Sequence, residues 1–174
     1  MNPNLSIPVA IAMGLTGCTS LGDIPTAKLG QARLVNVNGL PAGTAVVAAA
    51  GKQVTITVAA AGLPQGQHGL HLHTAGKCEA PAFTSAGAHL NPGGHQHGSA
   101  SPQGSHLGDL PNLTIAGNGA GTLTAELKAT RAEAEAALFD NDGTAIVIHA
   151  ATDDYRTDPS GNSGARIACG VLIR

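Results

Sequence analysis

Histidine is the residue type that most constrains how this chain of 174 residues can fold. Imidazole and carboxylate groups are metal-binding donors, and an ion holds them only where the fold brings them together. A chain that spaces such donors widely must therefore fold so that distant segments meet. Six of the eight histidines and one aspartate form a set large enough for two metal ions: His71, His73, His89, His97, His106, His149 and Asp109.

His71 and His73 form a pair separated by one apolar residue. Side chains alternate between the two faces of a β-strand, so the two imidazole rings point the same way and can bind one ion from one side. In a helix the two rings would lie roughly 200° apart around the axis. The alternation of apolar residues and histidines over residues 69–73 predicts a half-buried strand.

The segment from His89 to Asp109 has a different character. It has no apolar period and is rich in Gly, Pro and Ser, which predicts a loop. A loop with several histidines is typically ordered by a metal ion. Three histidines with one aspartate suit a closed zinc site, whereas a set of imidazoles alone suits copper.

The remaining pattern predicts an all-β protein. Alternation indicates strands at residues 32–38, 53–59, 121–127, 145–149 and 166–172, with Gly-rich turns at 39–43 and 62–66. A count near eight short strands predicts an eight-stranded antiparallel Greek-key β-sandwich or flattened barrel with long metal-binding loops. Residues 127–138 favour a helix by propensity, and we expect at most a short one there.

Composition limits the remaining possibilities. The chain is 43% hydrophobic but has only two Phe, one Tyr and no Trp, so its core must be built from Val, Ala, Leu and Ile. The net charge is −2 and no basic cluster is present, so no nucleic-acid partner is expected.

The first residues are typical of an exported protein. An uncharged apolar run at residues 7–17 is too short to span a bilayer and ends in small residues, which predicts a signal peptide over 1–17. Residues 15–18 resemble a bacterial lipobox, so Cys18 is the expected lipidation site, with an ordinary signal-peptide residue as the alternative. The first basic residue is Lys28, whereas export signals normally begin with positive charge. We expect a tether at 18–30 and one domain at 31–174.

Four motifs resemble the copper/zinc superoxide dismutase family, over a stretch that runs from about Ala32 to the C-terminus. They occur in unbroken order at compatible spacing. The motifs are GQHGLHLH at residues 66–73, SAGAHLNP at 85–92, HLGDL at 106–110 and GNSGARIACGV at 161–171.

The resemblance implies one copper and one zinc ion per chain, bridged by the ring of His89. Arg166 matches the arginine that holds the superoxide anion beside copper, with a plain surface ion-pair residue as the alternative. Asp153 matches the carboxylate that links a copper ligand to a zinc ligand and orients both rings, with Asp154 as the alternative. The implied copper ligands are His71, His73, His89 and His149, and the implied zinc ligands are His89, His97, His106 and Asp109.

The resemblance also implies a disulfide between Cys78 and Cys169. It would close a loop of about 90 residues and contribute roughly 4 to 5 kcal/mol in the chain-entropy model. Such a bond needs an oxidising compartment, and we expect the bacterial cell envelope or periplasm, with a lipid anchor. His68 is expected to have a hydrogen-bonding structural role, and His95 to be a solvated loop residue.

The implied activity is superoxide dismutation through alternating Cu(II) and Cu(I). Superoxide reduces Cu(II) and leaves as oxygen, the copper arm of His89 is released and protonated, and a second superoxide reoxidises copper and leaves as peroxide. The alternative is an envelope copper/zinc storage module with the same ligands and no turnover, which would not need Arg166. The loop before Arg166 is shorter than in the eukaryotic enzymes, so no other steering charge is carried over. A homodimer is expected, with a monomer as the alternative.

Overall fold

The computed structural model describes residues 25–174, which form eight β-strands and one short α-helix. The first half contains β1 (Thr26–Asn36), β2 (Pro41–Ala50), β3 (Gln53–Ala60) and β4 (Gly66–His73). The second half contains β5 (Asp109–Ile115), β6 (Gly121–Glu126), α1 (Arg131–Leu138), β7 (Ala145–His149) and β8 (Arg166–Val171). No regular strand or helix of more than three residues lies between β4 and β5, which confirms the expected loop from His89 to Asp109.

The eight strands form one antiparallel sheet in the order β5-β4-β7-β8-β1-β2-β3-β6. The strands at its two ends, β5 and β6, follow each other in the chain through a tight turn in which Ala116 N–H donates to Ala120 O at 2.9 Å. This turn brings the ends of the sheet together, so the sheet curls into a nearly closed barrel. Strand β4 pairs with β5 and β7 rather than with β3, which is a Greek-key crossover. The predicted fold class is confirmed.

The barrel interior is filled by small aliphatic side chains. Its core cluster consists of Ala, Val, Leu and Ile residues, as the scarcity of aromatic residues predicts. Along β4, Leu70 and Leu72 belong to this core, so the alternating His71 and His73 point away from it. The pleat of one strand therefore places two metal-binding rings on the outer side of the barrel wall.

Strand β7 is buried on both faces. Ile146 and Ile148 belong to the barrel core, whereas Ala145 and Val147 pack in a second, smaller cluster with Phe83. The long loop after β4 is thus folded against the outside of β7, which buries the region where the histidines lie.

The first strand begins earlier than expected. Residues 26–30 pair with β2, so the expected tether does not extend to Gly30. A bulge between Lys28 and Gly30 leaves Leu29 and Gly30 both buried, and this breaks the alternation that would have revealed the strand. Pro41 is likewise the first residue of β2 rather than part of a turn, a position that proline tolerates. The expected signal peptide, Cys18 and the start of the tether lie outside the described residues.

A capping box sets the start of the helix, which is 8 residues long. Thr130 accepts a hydrogen bond from Glu133 N–H and Glu133 bonds back to Thr130 N–H, which closes a capping box immediately before Arg131. The expectation of at most a short helix within 127–138 is confirmed. Within residues 25–174 no helix is both long and apolar enough to cross a membrane.

Candidate metal centre

Two neighbouring strands and one loop supply the first group of histidines. His71 and His73 lie on β4, and His149 ends β7, which pairs with β4. His89 comes from the loop and forms an isolated antiparallel bridge with His73. One ring nitrogen from each of the four histidines lies within 4.8 Å of the others. We call these four residues the four-histidine cluster.

Each ring of this cluster has one buried nitrogen with no hydrogen-bond partner among residues 25–174. These nitrogens are His71 Nδ1, His73 Nε2, His89 Nε2 and His149 Nε2. An unpaired buried polar atom is costly, and four that converge on one point are satisfied together by a bound cation. An all-imidazole set of this kind suits copper.

Hydrogen bonds determine which nitrogen of each ring is free. His71 Nε2 donates to Asp153 Oδ2 at 2.8 Å, and His73 Nδ1 donates to Gly87 O at 2.9 Å. His149 Nδ1 donates to Gly164 O at 3.1 Å. Because a neutral imidazole has one protonated nitrogen, each bond leaves the opposite nitrogen with a lone pair directed into the cluster.

Burial keeps three rings of the four-histidine cluster neutral, those of His73, His89 and His149. It lowers the pKa of His73 to about 2, that of His149 to about 3 and that of His89 to about 4. The positive charge of Arg166 lowers the pKa values of His73 and His149 further. These three rings therefore have lone pairs available for a metal at neutral pH.

The second group contains three histidines and one aspartate, His89, His97, His106 and Asp109, and we call it the aspartate cluster. The Nδ1 atoms of the three rings lie 3.0, 3.0 and 3.1 Å from the same carboxylate oxygen, Asp109 Oδ1. The other oxygen, Oδ2, accepts from the backbone N–H groups of Gly98 and His106. This donor set suits a closed, tetrahedral zinc site.

The Asp109 carboxylate is held in its charged form. Burial raises its pKa, but the hydrogen bonds from His89 and Gly98, together with the nearby His97 and His106, outweigh burial and hold the pKa well below its usual range. An ionised carboxylate is the state of Asp109 that binds a dication.

His89 belongs to both clusters, with Nε2 in the four-histidine cluster and Nδ1 in the aspartate cluster. Asp153 forms a second link, because its carboxylate accepts from His71 Nε2 on Oδ2 and from His97 Nε2 on Oδ1. Burial raises the pKa of Asp153, but these two bonds and the Tyr155 N–H lower it overall. The alternative Asp154 instead accepts from Thr157 and Asn162 within its own loop.

Asn112 holds the backbone of Asp153 in place. Its side-chain Oδ1 accepts from Asp153 N–H and its Nδ2 donates to Asp153 O, both at 2.9 Å. Its own N–H donates to the hydroxyl of Tyr155 at 2.8 Å. Nothing in the sequence pattern marked Asn112, because its partners lie about 40 residues further along the chain.

Arg166 lies directly across the β7–β8 ladder from His149. Its Nη1 donates to Phe83 O and its Nη2 to Gly87 O, both at 2.7 Å. Gly87 O thus accepts from both Arg166 and His73, which ties the guanidinium to the four-histidine cluster. Within residues 25–174 no carboxylate lies within 4.0 Å of the guanidinium, so the ion-pair alternative finds no partner there.

The two other histidines behave as the sequence predicts. Both nitrogens of His68 are used by backbone carbonyls, those of His149 at 2.7 Å and Pro64 at 2.9 Å. His95 is exposed in its loop and belongs to neither cluster. A disulfide joins Cys78 to Cys169, 91 positions apart, so that predicted pairing is confirmed.

The fold is a small antiparallel barrel, and its outer wall carries two adjoining histidine-rich clusters that share the ring of His89. These features are typical of a β-barrel protein that binds two metal ions. Residues 41–172 match the family described as copper/zinc superoxide dismutase (SODC), and the chain belongs to that family. Copper and zinc are the metals of the family, and the two clusters are compatible with them.

Several relatives are similar over most of the chain. A protein named superoxide dismutase [Cu-Zn] 2 from Aquifex aeolicus is 40% identical, covering 82% of this chain and 85% of its own length. A superoxide dismutase [Cu-Zn] from Caulobacter vibrioides is 40% identical, over 78% of this chain and 80% of that protein. The crystal structure of a SOD-like protein from Bacillus subtilis superposes with a TM-score of 0.78 at 36% identity, covering 84% of this chain and all of that one.

Proposed function

We propose that this protein is a superoxide dismutase, which converts two superoxide anions and two protons into dioxygen and hydrogen peroxide. The observation that carries the proposal is the position of Arg166. Its cationic group is linked through Gly87 O to His73 and lies across a strand pair from His149, with no carboxylate to neutralise it among the described residues. A small anion attracted to that cation approaches the four-histidine cluster.

The two clusters divide the metals by donor type. Copper would be held by the four-histidine cluster, whose unpaired nitrogens are His71 Nδ1 and the Nε2 atoms of His73, His89 and His149. Zinc would be held by the aspartate cluster, in which the Nδ1 atoms of His89, His97 and His106 face the carboxylate of Asp109. Bound copper supplies the alternating one-electron oxidation and reduction of superoxide, and zinc supplies a structural charge with no redox chemistry.

The residues around the metals have separate tasks. Arg166 binds the superoxide anion by charge and hydrogen bonding, and because the chain has a net charge of −2 this attraction is local. The shared His89 can take up and deliver a proton at Nε2, which is the nitrogen facing the four-histidine cluster. Asp153 holds the rings of His71 and His97 in the orientation that keeps both lone pairs aimed inward.

The alternative is a copper/zinc storage module with the same ligands. Storage requires tight binding of the metals but no anion site. The Arg166 side chain is partly buried, and the loss of solvation lowers the pKa of its guanidinium. Two short hydrogen bonds to backbone carbonyls offset the lost solvation. A storage module has no use for a partly desolvated cation beside the four-histidine cluster, so the position of Arg166 favours the enzyme over the storage module.

We propose that the domain works in the bacterial cell envelope or periplasm. The disulfide supports an oxidising compartment. Residues 1–17 as a signal peptide and Cys18 as a lipidated anchor remain predictions, as does a homodimer with the monomer as its alternative. Mass spectrometry of the N-terminal region after expression in a bacterium tests removal of residues 1–17 and lipidation of Cys18. Sedimentation of the purified protein tests the oligomeric state.

The test is superoxide dismutation by the purified chain with bound metals counted in the same sample. Fast turnover with one copper and one zinc per chain is expected. Full loading of both metals without turnover would favour the storage module. His149→Ala serves as the matched negative control, because it removes one copper ligand and leaves all four residues of the aspartate cluster in place.

A further inference from the structure

Phe83 is the largest fully buried side chain among residues 25–174, although it lies in a loop. Its ring is fully inaccessible to solvent and packs in the small cluster outside the barrel with Ala145, Val147 and Cys169. Its backbone is left-handed, at φ 53° and ψ 23°. A bulky residue rarely adopts this conformation, so the surrounding contacts must hold it there.

Every polar group of the Phe83 backbone is bonded. Its N–H donates to Glu79 O at 2.9 Å. Its carbonyl accepts from two donors, Ala86 N–H at 3.1 Å and Arg166 Nη1 at 2.7 Å. The buried ring and these bonds together aim one carbonyl at the guanidinium, and this carbonyl and that of Gly87 determine the plane of the guanidinium.

The loop has two separate attachments to β8. One is the disulfide, which joins Cys78 to Cys169. The other is the Phe83 ring, which packs in the same cluster as Cys169 but five positions further along the loop than Cys78. The carbonyl that holds Arg166 belongs to the second attachment.

We propose that Phe83 is the positioning residue of the anion site, and that its buried ring, rather than the Cys78–Cys169 disulfide, keeps Arg166 in its working orientation. This inference rests on the proposed role of Arg166. It predicts that the disulfide and the anion site are separable: loss of the covalent bond lowers stability, whereas loss of the ring releases the guanidinium.

The test compares Phe83→Ala and Phe83→Leu with the double variant Cys78→Ser/Cys169→Ser. Leu138→Ala is the matched control, because Leu138 is also fully buried but lies on α1 within the barrel core cluster. Two properties are measured below the unfolding temperature of each variant. The first is the azide affinity of the copper- and zinc-loaded protein, followed by visible absorption. The second is the NMR signal of the Arg166 Nε–H group in zinc-loaded protein without copper.

Phe83→Ala is expected to weaken azide binding by about 10-fold or more and to shift and broaden the Arg166 signal. Phe83→Leu fills part of the pocket and is expected to lie between the parent and Phe83→Ala. The serine pair and Leu138→Ala are expected to keep the parental azide affinity and Arg166 signal despite lower unfolding temperatures.

Two results would overturn the proposal. One is a serine pair that loses azide affinity as strongly as the Phe83 variants. The other is a Phe83→Leu protein with parental azide affinity and an unchanged Arg166 signal, a result that decides the matter even if Phe83→Ala does not fold. Failure of the proposed role of Arg166 can be told apart from failure of the proposed role of Phe83. In the first case Arg166→Ala leaves azide binding unaltered. The NMR signal of Arg166 still reports whether Phe83 holds the guanidinium.

Discussion

The α-carbon of Gly161 packs directly against the carboxylate of Asp153 and leaves no space for a side chain at position 161. A β-carbon there would overlap Asp153 Oδ1 and come within 2.7 Å of His97 Nε2. Gly161 also has a φ of 64°, which an alanine adopts only with strain. Because Asp153 links His71 to His97, a side chain at position 161 would displace a carboxylate that is bonded to a histidine of each cluster.

Gly161→Ala is therefore expected to lower zinc affinity about 10- to 100-fold, as loss of a carboxylate partner of metal-binding histidines does. Competition with a chromophoric chelator measures this affinity. Gly62→Ala is the matched control, because Gly62 has a φ of 71° with no atom within 4 Å of its would-be β-carbon. Equal zinc affinity in the two variants would show that Gly161 contributes only backbone conformation.

Asn112→Ala is expected to loosen Asp153 without touching either cluster. The substitution leaves the N–H and carbonyl of Asp153 without their side-chain partners, at a cost of about 1–3 kcal/mol in the free energy of unfolding. Zinc affinity is expected to fall as well. Tyr155 is the single tyrosine and its hydroxyl bonds to Asn112 N–H, so tyrosine fluorescence reports this region directly.

Asn118→Ala is the control for this experiment, because Asn118 makes a similar side-chain bond to Ala120 N–H in an exposed turn. It is expected to leave zinc affinity and tyrosine fluorescence unaltered. If both variants bound zinc as tightly as the parent does, the hydrogen bonds from Asn112 to Asp153 would have no effect on zinc affinity.

Arg166→Ala is expected to reduce dismutase activity about 10- to 100-fold at full metal loading, because the anion loses its local attraction. Replacing His71 or His149 is expected to abolish activity, since each supplies a copper donor. Arg166→Lys keeps the charge but cannot donate to Phe83 O and Gly87 O in the same forked geometry, so an intermediate rate is expected. Undiminished turnover by copper-loaded Arg166→Ala would remove Arg166 from the anion site.

The stability of the metal-free protein is expected to fall on acidification. His73, His89 and His149 have pKa values lowered to about 2, 4 and 3 by burial, whereas histidines of an unfolded chain titrate near the ordinary value of 6.5. Between these limits the unfolded chain binds more protons, so stability is fully present above pH ~6.5 and is lost as the pH decreases. Each proton taken up contributes about 1.4 kcal/mol per pH unit.

Urea unfolding of metal-free protein over this pH window measures the effect. His149→Gln is expected to reduce the slope of stability against pH, whereas His95→Gln, at an exposed position, is expected to leave it unaltered. A urea midpoint that does not vary between about pH 4 and pH 7 would contradict the argument.

Short-range sequence patterns were enough to predict those features of the structure that depend on residues close together in the chain or on composition. The one-residue spacing of His71 and His73 determines that both rings share a strand face, and the scarcity of aromatic residues determines an aliphatic core. The pairing of Cys78 with Cys169 and the gathering of the histidines followed from motif resemblance, and the structure agrees with both.

Other features depended on contacts that no local pattern encodes. The start of β1 was missed because the bulge at Lys28 and Gly30 breaks the alternation of buried residues. Asn112, Gly161 and Phe83 act through partners that are distant in sequence, on segments that meet only when the barrel closes. The sequence by itself determined which donors are present and which strand faces carry them. Only the tertiary structure decided which nitrogen of each ring is free and what holds Arg166, because hydrogen bonds between remote segments set both.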